Sequence, residues 1–138
     1  MLDTNIPSEL SKPQPDKRVD GWLRSQSKTT LFISAITVGE LRRGALLLDA
    51  GTKRGRLEHW IETSLDEWFA GRILSVDEAV ARQWSELDVA RRRAGKPLDI
   101  TDGLIAATAL VNGLMLVTRN SRDFEDLGIR LVNPWLGV

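Results

Sequence analysis

Asp3, Glu40, Asp102 and Asp123 each stand where an apolar run gives way to a helical stretch. The local sequences are Met1-Leu-Asp-Thr-Asn5, Ser34-Ala-Ile-Thr-Val-Gly-Glu-Leu41, Asp99-Ile-Thr-Asp-Gly-Leu-Ile-Ala-Ala107 and Thr118-Arg-Asn-Ser-Arg-Asp-Phe124. In a parallel α/β sheet such junctions gather along one edge, where ligands bind. Carboxylates crowded there repel one another. A hard divalent cation with a preference for oxygen ligands, Mg²⁺ or Mn²⁺, relieves that repulsion. The chemistry to expect is metal-assisted reaction of a phosphate ester.

Each acid also has a bland explanation. Asp3, Thr4 and Asn5 are all turn and helix-cap residues. Thr37-Val-Gly-Glu40 matches a capping box, in which Glu reaches back to the N-cap amide. Asp99 is a natural N-cap, and Asp102 in the following turn complements the helix dipole, worth roughly 0.3–1 kcal/mol per acid. Two acids at the head of one apolar helix exceed what capping needs. Asp102 opens the apolar face and is expected inward as a ligand, with Asp99 a cap or an outer partner. Asp123 would suit the start of a turn over 123–127. Thr118, Asn120 and Ser121 add groups able to orient waters or carboxylates. What favours chemistry is position: independent caps would use Ser, Thr and Asn as often as Asp or Glu.

The elements that must place these acids alternate between apolar runs and amphipathic stretches, the pattern of a βα fold with a mostly parallel sheet. Strands are expected at 1–3, 31–34, 72–76, 114–118 and 129–132. Helices are expected near 5–12, at 16–25, 37–48, 57–69, 77–94 and 101–112. Gly95 with Pro97, and Gly113, are the expected stops of the last two helices. Trp60, Trp68 and Trp84 fall on apolar helix faces and belong to the core. Trp22 suits core or interface, and Trp135 suits an edge or a dimer contact.

Composition narrows the classes. At 138 residues, 42% hydrophobic and 28% charged, the chain fits a single domain over 1–138 with its own core. Lys+Arg and Asp+Glu balance at 19 each, so any electropositive surface must be local. No Cys is present, which removes thiolate chemistry, and a single His59 removes multi-histidine metal sites. An acidic residue at position 3 argues against a signal peptide, and no apolar run spans a bilayer. A cytoplasmic protein is expected.

The four acidic stretches resemble the PIN-domain ribonucleases, and among them the VapC-type toxins of bacterial toxin–antitoxin pairs. They occur in the family's order and span nearly the whole chain. The closing Val132-Asn-Pro-Trp135 resembles the FitB-like subgroup. The resemblance implies an α/β fold of three layers, with a central parallel five-stranded sheet flanked by helices. It implies that Asp3 and Asp102 bind Mg²⁺ or Mn²⁺ most directly, while Glu40 and Asp123 complete the acidic site. Thr4, Asn5, Thr118 and Asn120 match its supporting polar positions. It further implies hydrolysis of RNA, a cognate antitoxin that inhibits the toxin, operator DNA reached only through that antitoxin, and a homodimer. The first strand is shorter here than in the family.

Arg42 and Arg43 follow Glu40 by one turn, and Arg119 and Arg122 flank the fourth acid; these four are the candidates for RNA or antitoxin contact. Arg91-Arg-Arg93 with Lys96 reads equally as helix-end charge compensation or as an RNA phosphate contact. Three rival functions remain. An aspartyl-phosphate hydrolase with Asp3 as nucleophile would want a second Asp at position 5, where Asn stands. A receiver domain would want a Lys near Thr118, where Arg119 stands. A non-catalytic module would bind antitoxin or RNA without turnover.

Overall fold

The computed structural model of the chain describes residues 1–137. Its helices are α1 (Asn5–Leu10), α2 (Lys17–Ser25), α3 (Ala35–Leu46), α4 (Thr52–Phe69), α5 (Glu78–Arg93) and α6 (Ile100–Val111). Its strands are β1 (Ile33–Ser34), β2 (Ile73–Leu74), β3 (Leu116–Val117) and β4 (Leu131–Val132). β1 pairs with β2 and β3 with β4, both in parallel. Leu2 bridges in parallel to Ile33 on one side and Val117 on the other, joining the two pairs. The order across the sheet is therefore β2, β1, Leu2, β3, β4.

Of the expected five-stranded sheet, four parallel strands form among the described residues, each shorter than expected, and the expected first strand is reduced to the single bridging residue Leu2. The cause is visible at β1. Ser34, its last residue, already caps α3 by accepting from the Ile36 N–H at 3.0 Å. Helix therefore follows strand with no loop between them. In the same way Asp3, directly after Leu2, is followed by α1.

Side-chain alternation along the strands separates two cores. Leu2, Ile33 and Val117 point into one, with Val19, Leu23, Leu41, Ile61, Leu65 and Phe69 from α2, α3 and α4. Met1 and Leu116 point into the other, with Val80 and Leu87 of α5 and Ile105 and Ala106 of α6. Trp60 and Trp68 pack against the first core and Trp84 against the second, as their helical spacing predicts. Trp22 joins the first core, and Trp135 is buried within it rather than at an edge.

Both long helices of the second layer end in Schellman motifs. Gly95 and Gly113 take φ of 72° and 64°, the left-handed region that glycine enters without cost. Lys96 N–H then reaches Arg91 O at 2.9 Å, and Leu114 N–H reaches Ala109 O at 2.9 Å. The second of these turns the chain directly into β3.

α5 and α6 pack tightly at Gly103, the neighbour of Asp102. A Cβ there would lie 2.9 Å from Trp84 Cδ1. Gly103→Ala gains helix propensity of about 1 kcal/mol but forces the indole to move, at about 1–3 kcal/mol. A net loss of stability is expected in urea denaturation, with a change in Trp84 fluorescence. Among the described residues no helix is long and apolar enough to cross a membrane.

Candidate functional site

Asp3 sits at the centre of the sheet edge because Leu2 is its central segment. Its backbone N–H donates to Val117 O at 2.9 Å. Its carboxylate is only 5% exposed and fully engaged. Oδ1 accepts from the Thr4 N–H at 2.8 Å, and Oδ2 accepts from Thr118 Oγ1 at 2.7 Å and from Asn5 Nδ2 at 3.1 Å. Burial pushes the carboxyl above the usual carboxylate range and the charge of Glu40 adds to this, while the hydrogen bonds from Thr118, Thr4 and Asn5 oppose it.

Glu40 is not part of a capping box. α3 starts at Ala35 with Ser34 as its cap, so Thr37 lies inside the first turn, fully buried, and Glu40 lies one turn further on. The strand runs straight into the helix, and Ser34 is the earlier residue able to cap it. Glu40 Oε1 instead accepts from Thr4 Oγ1 at 2.6 Å, and Thr37 Oγ1 lies 3.2 Å from the same hydroxyl. Thr4 thus ties Glu40 to the residue beside Asp3.

Asp99 occupies the N-cap position of α6, yet its side chain makes no capping hydrogen bond. Capping is therefore not its use. Half-buried Asp102, in the first turn, has its pKa raised to about 6, first by burial and then by the charges of Asp3, Glu40, Asp99 and Asp123. Asp99 thus adds a fifth carboxylate to the field of the expected four. Among the described residues none of these five acids is in an ion pair; the acidic partners are Glu9, Asp16, Asp20, Glu58, Glu78 and Asp88.

Asp123 does not start a turn over 123–127; it lies inside a 3₁₀ turn, Ser121–Phe124, and is exposed. Phe124 anchors that turn in the second core. Arg91 of α5 clamps it from outside, donating to Asp123 O at 3.2 Å and Glu125 O at 3.3 Å. Arg91 also donates to Lys96 O at 2.7 Å, and Arg92 pairs with Asp88 at 2.8 Å. The basic cluster is therefore largely engaged in structure.

Thr118 is the hub of the polar network. It is fully buried, and its hydroxyl also accepts from the Asn120 N–H at 3.0 Å and lies 3.3 Å from Asn5 Nδ2. Asn5 Oδ1 accepts from the Arg119 N–H at 3.2 Å. Of the four candidate contact arginines, all are exposed. Arg119 and Arg122 share a cavity of about 530 Å³ with Asp123. Arg42 instead faces a cleft with Ile61, Glu62 and Leu65 of α4 and Ile73 of β2. Sequence reading missed Thr37, whose hydroxyl backs Thr4, and Asn133, which accepts from the Trp135 N–H at 3.1 Å and donates to Arg119 O at 3.0 Å.

The donor set is all oxygen, which suits a hard cation and excludes a soft one. Among the described residues no three His, Asp or Glu side chains converge tightly enough to enclose an ion by themselves. That arrangement fits Mg²⁺ better than Ca²⁺, because Mg²⁺ is commonly held by one or two carboxylates with water completing its shell.

Comparison with known proteins shows the family. The family description "PIN domain" matches residues 1–129. VapC ribonuclease Y4jK of Sinorhizobium fredii is 40% identical over 135 residues, covering 98% of this chain and 96% of that protein. Toxin FitB of Neisseria gonorrhoeae is 42% identical over 135 residues, covering 98% and 97%. A solved structure of FitAB bound to an IR36 DNA fragment superposes with a TM-score of 0.89 at 40% identity, covering 97% of this chain and 94% of the matched one. Matches this long leave no element of the acidic edge outside the alignment, and the chain belongs to the PIN domain family, among its VapC and FitB relatives.

Proposed function

We propose that this chain is a metal-dependent endoribonuclease, the toxin of a toxin–antitoxin pair, with Asp3 and Asp102 holding Mg²⁺ or Mn²⁺. The observation that carries this is a buried, fully hydrogen-bonded Asp3 together with an Asp102 raised to about 6 by burial and by the charges of four other acids, none of which is in an ion pair among the described residues. The names of the relatives, a ribonuclease and a toxin, support RNA as the substrate.

Bound there, a divalent cation lowers the pKa of water and polarises a phosphoryl oxygen. The chain's own residues do the rest. Thr4 N–H, Asn5 and Thr118 hold the Asp3 carboxylate in one orientation. Glu40, with Oε1 tied to Thr4, has its other oxygen free to orient or deprotonate the attacking water. Asp123 and Asn120 fix the surrounding water, and Asp99 adds to the negative field. In-line attack forms a bond from water oxygen to phosphorus and breaks the bond to the 3′ oxygen, which takes a proton; a 5′-phosphate and a 3′-hydroxyl remain. His59 is exposed on α4 and takes no part.

A hydrolase using Asp3 as nucleophile is a poorer reading, because both carboxylate oxygens already accept hydrogen bonds and Asn5 cannot act as a general acid. The partners follow from the toxin reading: a cognate antitoxin placing a cation among the acids, operator DNA contacted through it, and a homodimer in the cytoplasm. The FitAB relative is itself bound to DNA. The test is incubation of purified, antitoxin-free protein with total RNA. Discrete fragments are expected with Mg²⁺ or Mn²⁺ and none with chelator; equal cleavage under both conditions would remove the metal from the mechanism.

A further inference from the structure

We infer that Arg119, seated on Trp135 beside the cavity it shares with Arg122, is a phosphate subsite that holds single-stranded RNA next to the scissile bond. The inference rests on the ribonuclease reading above and adds a substrate-positioning residue to it.

Arg119 is held at both backbone polar groups, and its exposed guanidinium is seated on Trp135. Its N–H donates to Asn5 Oδ1 at 3.2 Å, and its C=O accepts from Asn133 Nδ2 at 3.0 Å. Its guanidinium carbon lies 5.4 Å from the centroid of the Trp135 ring, within cation–π range. Trp135 is itself buried, 8% exposed, with its backbone N–H donating to Asn133 Oδ1. An arginine held in this way loses little further freedom on binding, which is the condition for an effective contact.

The position ties it to the acidic edge. Thr118, the residue before Arg119, donates to Asp3 at 2.7 Å, and successive Cα atoms are about 3.8 Å apart. A strand whose scissile phosphate sits at Asp3 and Asp102 must leave the site past neighbouring surface. On this side that surface is a cavity of about 530 Å³ lined by Arg18, Arg119, Asn120, Arg122, Asn133 and Trp135, among others. Arg18 is paired with Asp16, whereas Arg119 and Arg122 have no ion-pair partner among the described residues. Two uncompensated guanidinium groups beside five uncompensated carboxylates form a dipolar surface. It attracts a phosphodiester chain on one side and, across the acids, a cation on the other.

The subsite is tested with Arg119→Gln, which keeps a side chain over Trp135 and removes the charge, and with Arg122→Ala. Binding is read in the Asp102→Asn background, using a fluorescein-labelled 20-nucleotide single-stranded RNA of mixed sequence, as a function of salt. Arg119→Gln is expected to weaken binding about tenfold and to lower the slope of log K against log salt by about 0.7, one phosphate contact. Arg119→Lys, which keeps the charge, is expected to restore the slope. In the otherwise native enzyme Arg119→Gln is expected to raise KM for cleavage more than it lowers kcat. Unchanged affinity and slope in Arg119→Gln, while the native enzyme cleaves RNA, would overturn the subsite and leave the ribonuclease standing. The same null with weakened capture of an acidic antitoxin would reassign the arginine to that partner. Absence of both cleavage and RNA binding in the native protein would overturn the ribonuclease reading and the subsite with it.

Discussion

Asp102→Asn is expected to lose RNA cleavage by about 10³-fold or more while folding normally and, without metal, resisting denaturation better than the parent. The two effects have one cause. On the proposed mechanism the carboxylate's charge serves a bound cation, and without that cation the charge is a liability. Its pKa is raised from 3.8 to about 6 in the folded protein, by burial and then by Asp3, Glu40, Asp99 and Asp123. A carboxyl with a raised folded pKa binds more protons folded than unfolded between those two values, so stability falls as pH rises through that interval. The penalty is complete about one unit above the folded pKa of about 6, and it vanishes only about one unit below the unfolded value of 3.8, where both states are protonated. The gain from Asn should therefore be full at about pH 7.5 and nearly absent at about pH 3. Asp102 is half exposed, so water screens part of this penalty. Urea denaturation of both proteins in chelator, at the two pH values, measures it. Excess Mg²⁺ should narrow the difference by stabilising the parent alone. Cleavage retained by Asp102→Asn would remove this residue from the site, and a pH-independent stability difference would remove the charge explanation.

Thr118→Val is expected to cost about 1–3 kcal/mol of stability and to impair cleavage although residue 118 need not touch RNA or metal. Valine matches the shape of threonine but leaves Asp3 Oδ2 without its 2.7 Å donor and the Asn120 N–H without its 3.0 Å acceptor. Both groups lie in or beside a buried network, where a lost partner costs more than a bond gained. The Thr118 hydrogen bond is the largest force holding the Asp3 pKa down. Its loss should carry that pKa still higher, so the acidic limb of the pH–rate profile moves toward higher pH. Thr118→Ser keeps the hydroxyl and should restore the profile. A Val variant that is merely less stable, with an unmoved profile, would show that Thr118 supports the fold and not the charge state of Asp3.

Much of this protein is legible in sequence because the signals are local. Helical periodicity placed Trp60, Trp68 and Trp84 on buried faces, and the glycines at 95 and 113 marked helix ends, since both depend on neighbours within one or two turns. The four acids were visible for the same reason, although the expected strand–helix junctions do not hold throughout: α6, which carries Asp102, follows α5 with no strand between, and Glu40 lies a turn into α3. Strand lengths were less legible, because capping by Ser34 competes with strand extension, and the same residues satisfy either pattern.

The amino-acid sequence by itself singled out the four acids, required two apolar layers around a parallel sheet, and pointed to a hard cation rather than thiols or histidines. Only the tertiary structure decided what each polar side chain does. Thr37-x-x-Glu40 allowed a capping box beside a site role and Asp99 a cap or an outer partner; Glu40 binds Thr4, 36 residues away, and Asp99 caps nothing. Asp3 is held by Thr118 across 115 residues, and Arg91, which read equally as helix-end compensation or as a phosphate contact, clamps the turn that carries Asp123. The physical reason is that caps, ligands and braces draw on the same few side chains. Propensity names which residues can accept or donate, but the partner is chosen by whichever group the sheet order brings within about 3 Å.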